Sequence, residues 1–185
     1  MFEGKTVYLV PIKDKDTDNI IKWRNQPFVR NMFLQKEILT KEIHENWMST
    51  MVKTKKVEQF IIYLKENDKA IGTVFLKNID MENKRAEYGN FIGEPEYLGK
   101  GYGSDAGNVL IQYAFNQLNL KKIFLRVLKT NVRAIRAYKK MGFHDMNKLE
   151  GIREDLIFME ITSTNEKING CSITKSTHKS IQHVG

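Results

Sequence analysis

The chain has 185 residues, 41% of them hydrophobic, which is enough for one well-buried domain and too few for two ordinary ones. Its 30 Lys and Arg against 22 Asp and Glu give a net charge of +8, which favours anionic ligands, and its single cysteine, Cys171, excludes both a disulfide framework and a cysteine metal cluster. The longest apolar runs, such as Phe60 to Leu64, fall far short of the ~20 residues that cross a bilayer, and no basic segment followed by an apolar core opens the chain, so a cytoplasmic protein without membrane contact is expected.

In chain order, Thr6 to Val10 starts as a strand, and Asp16-Thr17-Asp18 can cap a helix carrying Ile20, Ile21 and Trp23 on its apolar side. Pro27 ends that helix. A second helix is predicted from Thr40, with Glu42 at the positive end of its dipole and Ile43, Trp47, Met48 and Met51 on one face. The period then changes. Glu58 to Lys65, Ala70 to Ile79 and Arg85 to Ile92 read as three strands joined by short polar turns, an antiparallel meander. Beyond a glycine cluster, Ala106, Val109, Leu110, Tyr113, Ala114 and Leu118 recur at helical spacing, and Lys121 to Lys129 returns to strand. A helix between two strands predicts a crossover to a parallel neighbour. Asn131 can cap a further helix with Ala134, Ile135, Tyr138 and Met141 on its apolar side, Gly142 suits a left-handed end, and Asp155 to Ile161 forms a last strand. The order describes an α/β protein of the α+β type, with a mixed central sheet of about six to seven strands and helices on both faces.

Residues 163 to 185 turn to Ser, Thr, Lys and Asn without an apolar period, a tail composition. The remaining domain, 1–162, keeps 27 Lys and Arg against 21 Asp and Glu, so the positive charge belongs to the body. The clusters at Lys53, Lys55, Lys56 and at Lys121, Lys122 lack interleaved aromatics and read as solvated faces rather than a nucleic-acid patch. His44, His144, His178 and His183 have no ligand spacing, and no metal is expected.

The chemistry concentrates in Leu98-Gly99-Lys100-Gly101-Tyr102-Gly103-Ser104, between a strand and a helix. Glycines at 99, 101 and 103 let the backbone turn sharply and bring several N–H groups against an anion such as a pyrophosphate, which the positive helix end also favours. The spacing is neither Gly-x-Gly-x-x-Gly nor the phosphate loop ending in Gly-Lys-Ser/Thr, which argues against dinucleotide oxidoreductases and phosphoryl-transfer enzymes. A plain glycine-rich turn is the alternative.

This segment resembles the acetyl-CoA pyrophosphate loop of the GNAT superfamily of N-acetyltransferases, Arg/Gln-x-x-Gly-x-Gly/Ala. Gly101 and Gly103 match, while Leu98 stands where Arg or Gln is usual. Asn131 through Phe143 resembles the family's Asn-x-x-Ala-x-x-x-Tyr-x-x-x-Gly-Phe helix, and the match runs over roughly residues 5 to 162. The resemblance implies a GNAT fold, acetyl-CoA as cosubstrate held by the 98 to 104 loop, Asn131 and Ala134 along the pantetheine arm, and Tyr138 as the acid that protonates the departing thiolate. A phenol, with a pKa of about 10, keeps its proton at neutral pH and can give it to a developing sulfur anion. Without the family, Tyr138 on an apolar helical stripe reads as a core residue more often than as an acid. The resemblance further implies that the arm inserts where the strand holding Asn90, Phe91 and Ile92 splays from the next, so that their backbone polarises the thioester carbonyl. Gly89 in that strand marks a bulge or a close approach. Glu87 resembles a family carboxylate that draws a proton from the acceptor amine, or is an ion pair with a neighbour such as Arg85 or Lys84.

For the acceptor, Trp23-Arg24-Asn25-Gln26-Pro27, Val29-Arg30-Asn31-Met32 and Thr40-x-Glu42-x-His44-x-x-Trp47 resemble segments of bacterial enzymes that acetylate 4-amino sugars on UDP in the pseudaminic acid pathway. In that reading Arg24 and Arg30 meet phosphates and Trp23 or Trp47 packs on a sugar or base, although Trp23, His44 and Trp47 also read as structural residues. The body also resembles spermidine acetyltransferases, with Glu37, Glu42 and Glu45 as a carboxylate cluster, and ribosomal-protein N-terminal acetyltransferases. An acetyl-CoA-binding sensor without transfer activity is the non-enzyme alternative. A small-molecule amine, a nucleotide sugar first, is the expected partner, and homodimers are common in the family. Only eleven residues separate Phe143 from Asp155, where these relatives carry a longer hairpin, so a more open acceptor pocket is expected.

Overall fold

A computed structural model of the chain describes residues 2–146 and 153–165. In chain order its strands are β1 (Phe2–Glu3), β2 (Val7–Pro11), β3 (Glu58–Leu64), β4 (Ala70–Asp80), β5 (Arg85–Ile92), β6 (Lys122–Leu128), β7 (His144–Asp145) and β8 (Leu156–Thr162). The helices are α1 (Thr17–Asn25), α2 (Pro27–Arg30), α3 (Lys41–Trp47), α4 (Tyr102–Asn116) and α5 (Val132–Lys140). The strands form one sheet in the order β1-β2-β3-β4-β5-β6-β8-β7, in which β5 and β6 are parallel and every other pair is antiparallel. The predicted meander and parallel crossover are both present. The sheet exceeds the expected six to seven strands because β1 and β7, two residues each, are too short to give an alternation signal.

Alternation along the strands divides the side chains between two cores. Ala86 and Tyr88 of β5, Val74 and Leu76 of β4, and Ile123 and Leu125 of β6 share the larger core with Ala106, Val109 and Leu110 of α4 and with Met141 and Phe143 after α5. On the opposite face Ile61 joins Ile12, Ile20, Trp23 and Met48 beneath α1 and α3. Helices therefore cover both faces, as expected.

Two details depart from the sequence reading. Pro27 ends α1 but also begins α2 at its first position, where a missing N–H costs nothing. In α3 the inward residues are His44 and Met48, whereas Ile43 is 52% exposed. The entry of α3 is fixed by Asn25, whose side chain donates to the Leu39 carbonyl and accepts from the Leu39 N–H, and a wider π turn over Met48–Val52 changes the helical phase. The helix starts where expected, and Thr40 caps it, its Oγ1 accepting from the Ile43 N–H. Of the predicted tail, Ser163–Asn165 forms a 3-10 turn and 166–185 lie outside the described residues, as do 147–152 of the short connection before β8.

The start of α4 is tied to the far side of the sheet by Asp105. Its carboxylate accepts from the N–H groups of Lys5, Thr6 and Val7 at 3.0, 2.7 and 3.2 Å and from the Thr6 hydroxyl at 2.8 Å. Charge-assisted bonds of this kind are roughly twice as strong as neutral ones. Asp105→Ala should cost about 2 kcal/mol in denaturant unfolding, since it leaves three N–H donors without an acceptor. A loss below about 0.5 kcal/mol, the range of an ordinary surface change, would show that water replaces the carboxylate freely.

Candidate active site

β5 and β6 pair only from Arg85, Ala86 and Glu87 to Lys122, Ile123 and Phe124. Beyond that point β5 stays with β4 as far as Ile92, and β6 stays with β8 as far as Leu128, so the two strands part. The bond from the Gly93 N–H to the Ile71 carbonyl, 2.8 Å, fixes the phase of the β4–β5 ladder. By antiparallel alternation Phe91 and Gly89 bond to β4, whereas the backbone groups of Tyr88, Asn90 and Ile92 point away from it into the opening. Of the three residues expected to offer backbone groups, Asn90 and Ile92 do so, and those of Phe91 are committed to β4.

The glycine loop closes one end of this opening. Gly99 and Gly101 have φ of +80° and +90°, a left-handed backbone that glycine adopts without strain, and Gly101 is the cap of α4. Ser104 and Asp105 N–H groups both bond to the Gly101 carbonyl at 3.0 Å, which leaves the N–H groups of Tyr102 and Gly103, in the first turn, without an intrahelical acceptor. Asn90 Nδ2 donates to the Gly103 carbonyl at 2.9 Å and holds this helix end against β5. Lys100 lies over the Tyr97 ring, and Leu98 is half-buried with its N–H on the Pro95 carbonyl. Arg133 brings a cation to the same loop, since a Cβ on Gly99 would stand 3.5 Å from its Nη2. Sequence reasoning missed Arg133, whose only signal is its place two residues after Asn131. A cradle of N–H groups, a helix N-terminus and two cations fits a pyrophosphate.

On the larger-core face, Asn131 Oδ1 accepts from the Ala134 N–H at 3.2 Å and starts α5, which carries Tyr138 to the sheet. The Tyr138 ring meets those of Tyr88 and Phe143 edge-on, with centroids 6.0 and 5.9 Å away. Burial pushes the Tyr138 phenol up to about 12, so it stays protonated.

Glu87 points to the opposite face. It is 4% exposed, accepts from Arg126 Nε and Nη2 at 3.0 and 3.1 Å and from Asn78 Nδ2 at 2.9 Å, and lies 3.4 Å from Lys77 Nζ. Its partners are therefore Arg126 and Lys77 rather than Arg85, which pairs with Asp80, or Lys84. The bidentate pair joins β5 to β6 at the residue where their ladder ends. Gly89 accommodates the Phe75 ring of β4 rather than another backbone.

The expected acceptor residues separate into two groups. Trp23 is 1% exposed, packs on Gly93 and donates its indole N–H to Glu94 at 2.8 Å. His44, 2% exposed, has no hydrogen-bond partner at either ring nitrogen among the described residues, is held neutral by burial, and packs beside Trp47. These three belong to the smaller core. Arg24 instead reaches the open end of β5, where its guanidinium lies 3.7 Å over the Phe33 ring and Phe33 packs edge-on against Phe91. One guanidinium N–H group donates to the Gln35 carbonyl, and Nη1 is buried without a hydrogen-bond partner among the described residues. Burial lowers the Arg24 pKa, with nearby Glu37 opposing and Arg30 adding to that shift. Glu42 and Glu45 are exposed, and Glu45 lies 3.9 Å from Lys41.

A separate cavity of about 410 Å³ is lined by Asn83, Arg85, Lys121, Lys122 and Thr162 to Thr164 at the other end of the parallel pair. Ligands of open α/β sheets sit beyond the carboxyl ends of parallel strands, so the opening by the glycine loop is the better candidate. Among the described residues no helix is long and apolar enough to cross a membrane, and no group of three or more His, Cys, Asp or Glu is placed to hold a metal.

A mixed sheet that opens at its one parallel seam, beside a glycine-capped helix, defines a domain built to hold a pyrophosphate-bearing cofactor. The acetyltransferase (GNAT) domain matches residues 6–144, and the chain belongs to that family. Spermidine N(1)-acetyltransferase of Escherichia coli is 43% identical over 72 residues, 39% of this chain and 38% of that protein. Acetyltransferase PseH of Campylobacter jejuni is 26% identical over 132 residues, 71% and 79% of the two chains. The fold matches the crystal structure of spermidine N-acetyltransferase from Vibrio cholerae in complex with CoA and spermine, with a TM-score of 0.77 and 23% identity over 86% of this chain and 97% of that one. The chain spans only 30% to 53% of the length of three curated relatives that it matches.

Glu87→Gln tests the stitch between the strands. The neutral amide leaves Arg126 and Lys77 facing an uncharged group, so unfolding stability should fall by about 1–3 kcal/mol. Unchanged stability with an altered acid limb in the pH–rate profile would instead mark Glu87 as a base.

Proposed function

We propose that the chain is an acetyl-CoA-dependent N-acetyltransferase whose acceptor is a primary amine on an anionic small molecule, a UDP-linked 4-amino sugar first. In this reading the N–H groups at Tyr102 and Gly103, with Lys100 and Arg133, hold the pyrophosphate, and Asn90 and Ile92 turn backbone donors toward the thioester carbonyl. The amine nitrogen attacks that carbonyl, the C–S bond breaks with its electron pair going to sulfur, Tyr138 gives sulfur its proton, and the amine's proton leaves to water. The opening passes through the sheet, with Tyr138 against the larger-core face and Arg24 and Phe33 against the other, which lets acid and acceptor reach one thioester from opposite sides. The contacts of Glu87 support a structural role for it rather than that of the base.

The observation that carries the acceptor class is Arg24, a half-buried guanidinium at the open end of β5 with an unpartnered nitrogen and Arg30 nearby. Such a group attracts phosphate and repels a polycation. A polyamine is the second reading, favoured by the likeness to the E. coli spermidine enzyme, with Glu37 as its nearest carboxylate to this site.

Tyr138→Phe should lower kcat at least about tenfold with acetyl-CoA affinity nearly intact, and wild-type turnover would remove the acid role. Because its pKa lies at about 12 instead of 10, Tyr138 should cause no loss of kcat on the alkaline side up to about pH 9.5. CoA release with a UDP-4-amino-4,6-dideoxy sugar should exceed that with spermidine, and Arg24→Ala should weaken only the former. The reverse preference would establish the polyamine reading.

A further inference from the structure

Tyr88 lies on β5 two residues before Asn90, is 3% exposed, and its hydroxyl has no hydrogen-bond partner among the described residues. Buried phenols ordinarily find one, and a phenylalanine would fill the same space without the cost of drying an oxygen. The surroundings nonetheless accommodate that oxygen. A Cβ on Gly107 would overlap Met141 Cε and stand 2.5 Å from Tyr88 Oη, so this glycine in α4, a residue that weakens helix interiors, makes room for both side chains. The ring meets Tyr138 edge-on at 6.0 Å, and Phe143 packs against both rings at 5.8 and 5.9 Å. An unsatisfied donor is thus held by three rigid neighbours beside the proposed acid.

We propose that Tyr88 is a positioning residue for acetyl transfer, its hydroxyl donating a hydrogen bond to the Tyr138 oxygen as that oxygen gives its proton to the departing sulfur. The inference rests on the reading of Tyr138 as the acid. When the C–S bond breaks, sulfur takes the electron pair and the Tyr138 proton, and Tyr138 keeps the O–H pair as a phenolate that water later reprotonates. That phenolate forms in apolar surroundings, with a parent pKa of about 12 against roughly 8.5 for a thiol, so the transfer runs uphill unless a fixed donor meets the new charge. Tyr88 stays a donor throughout, because burial and the neighbouring Tyr138 hold its own pKa well above 10.

The test follows thiol release from acetyl-CoA in Tyr88→Phe, Tyr138→Phe and the double variant, using whichever of the UDP-4-amino-4,6-dideoxy sugar and spermidine the wild type turns over. Tyr88→Phe should lower kcat about tenfold with the KM for acetyl-CoA within about twofold, and should have no further effect once Tyr138 is phenylalanine. Its melting temperature, read without any acceptor, should equal or exceed that of the wild type, since an unsatisfied buried oxygen has been removed. A melting point several degrees lower, losses that multiply in the double variant, or wild-type kcat in Tyr88→Phe beside an impaired Tyr138→Phe would overturn the proposal. Wild-type turnover in Tyr138→Phe would remove the acid reading itself, a separate and recognisable failure.

Discussion

Parallel pairing between β5 and β6 lasts for three residue pairs, and the candidate site depends on where it stops. Each strand keeps its outer partner past that point, so the parting is imposed by the rest of the sheet rather than by fraying of either strand. The backbone groups of Asn90 and Ile92 are left facing the gap, and polar backbone in a part-buried cleft needs partners from water or a ligand. Two devices hold the gap open at a fixed width. Glu87 and Arg126 tie the strands where the ladder ends, and Asp105 with Asn90 pins the N-terminus of α4 over the far end. The anion cradle and the strand donors are thereby set at a constant distance, which is the preorganisation that acyl transfer requires.

The two faces of the sheet carry different chemistry. Tyr138 packs, partly buried, against the larger core beside Tyr88 and Phe143, and these apolar surroundings raise the cost of a phenolate and make any donor near it valuable. The smaller core buries Trp23, His44 and Met48 and presents only Arg24, Phe33 and their neighbours to the gap.

Much of this was legible in the sequence. The strands at 58–65, 70–79 and 85–92 were readable because they are short segments rich in β-branched and aromatic residues between polar turns, and the glycine loop because the absence of side chains at 99, 101 and 103 is itself the signal. Asn131 was readable as a cap, and Thr40 as a helix start, because capping is local, acting over three residues. What was not legible depends on residues distant in the chain. Asp105 meets Thr6 across 99 positions and Glu87 meets Arg126 across 39, and no local pattern announces either contact. Trp23 reads more readily as a core anchor than as an acceptor residue, but that the glycine at 93 opens the space it fills is not visible in its Trp-Arg-Asn setting. Ile43 obeys the helical period and still faces solvent, because the entry of α3 is fixed by Asn25 and not by hydropathy.

Hydrogen–deuterium exchange of the full chain with and without acetyl-CoA distinguishes the opened β5–β6 seam from other places as the cofactor site. Added protection is expected in 88–93, in 99–105 and in 131–138, with no change around Asn83, Arg85 and Lys122. Protection centred on that second cluster, or none at the glycine loop under saturating acetyl-CoA, would contradict that placement.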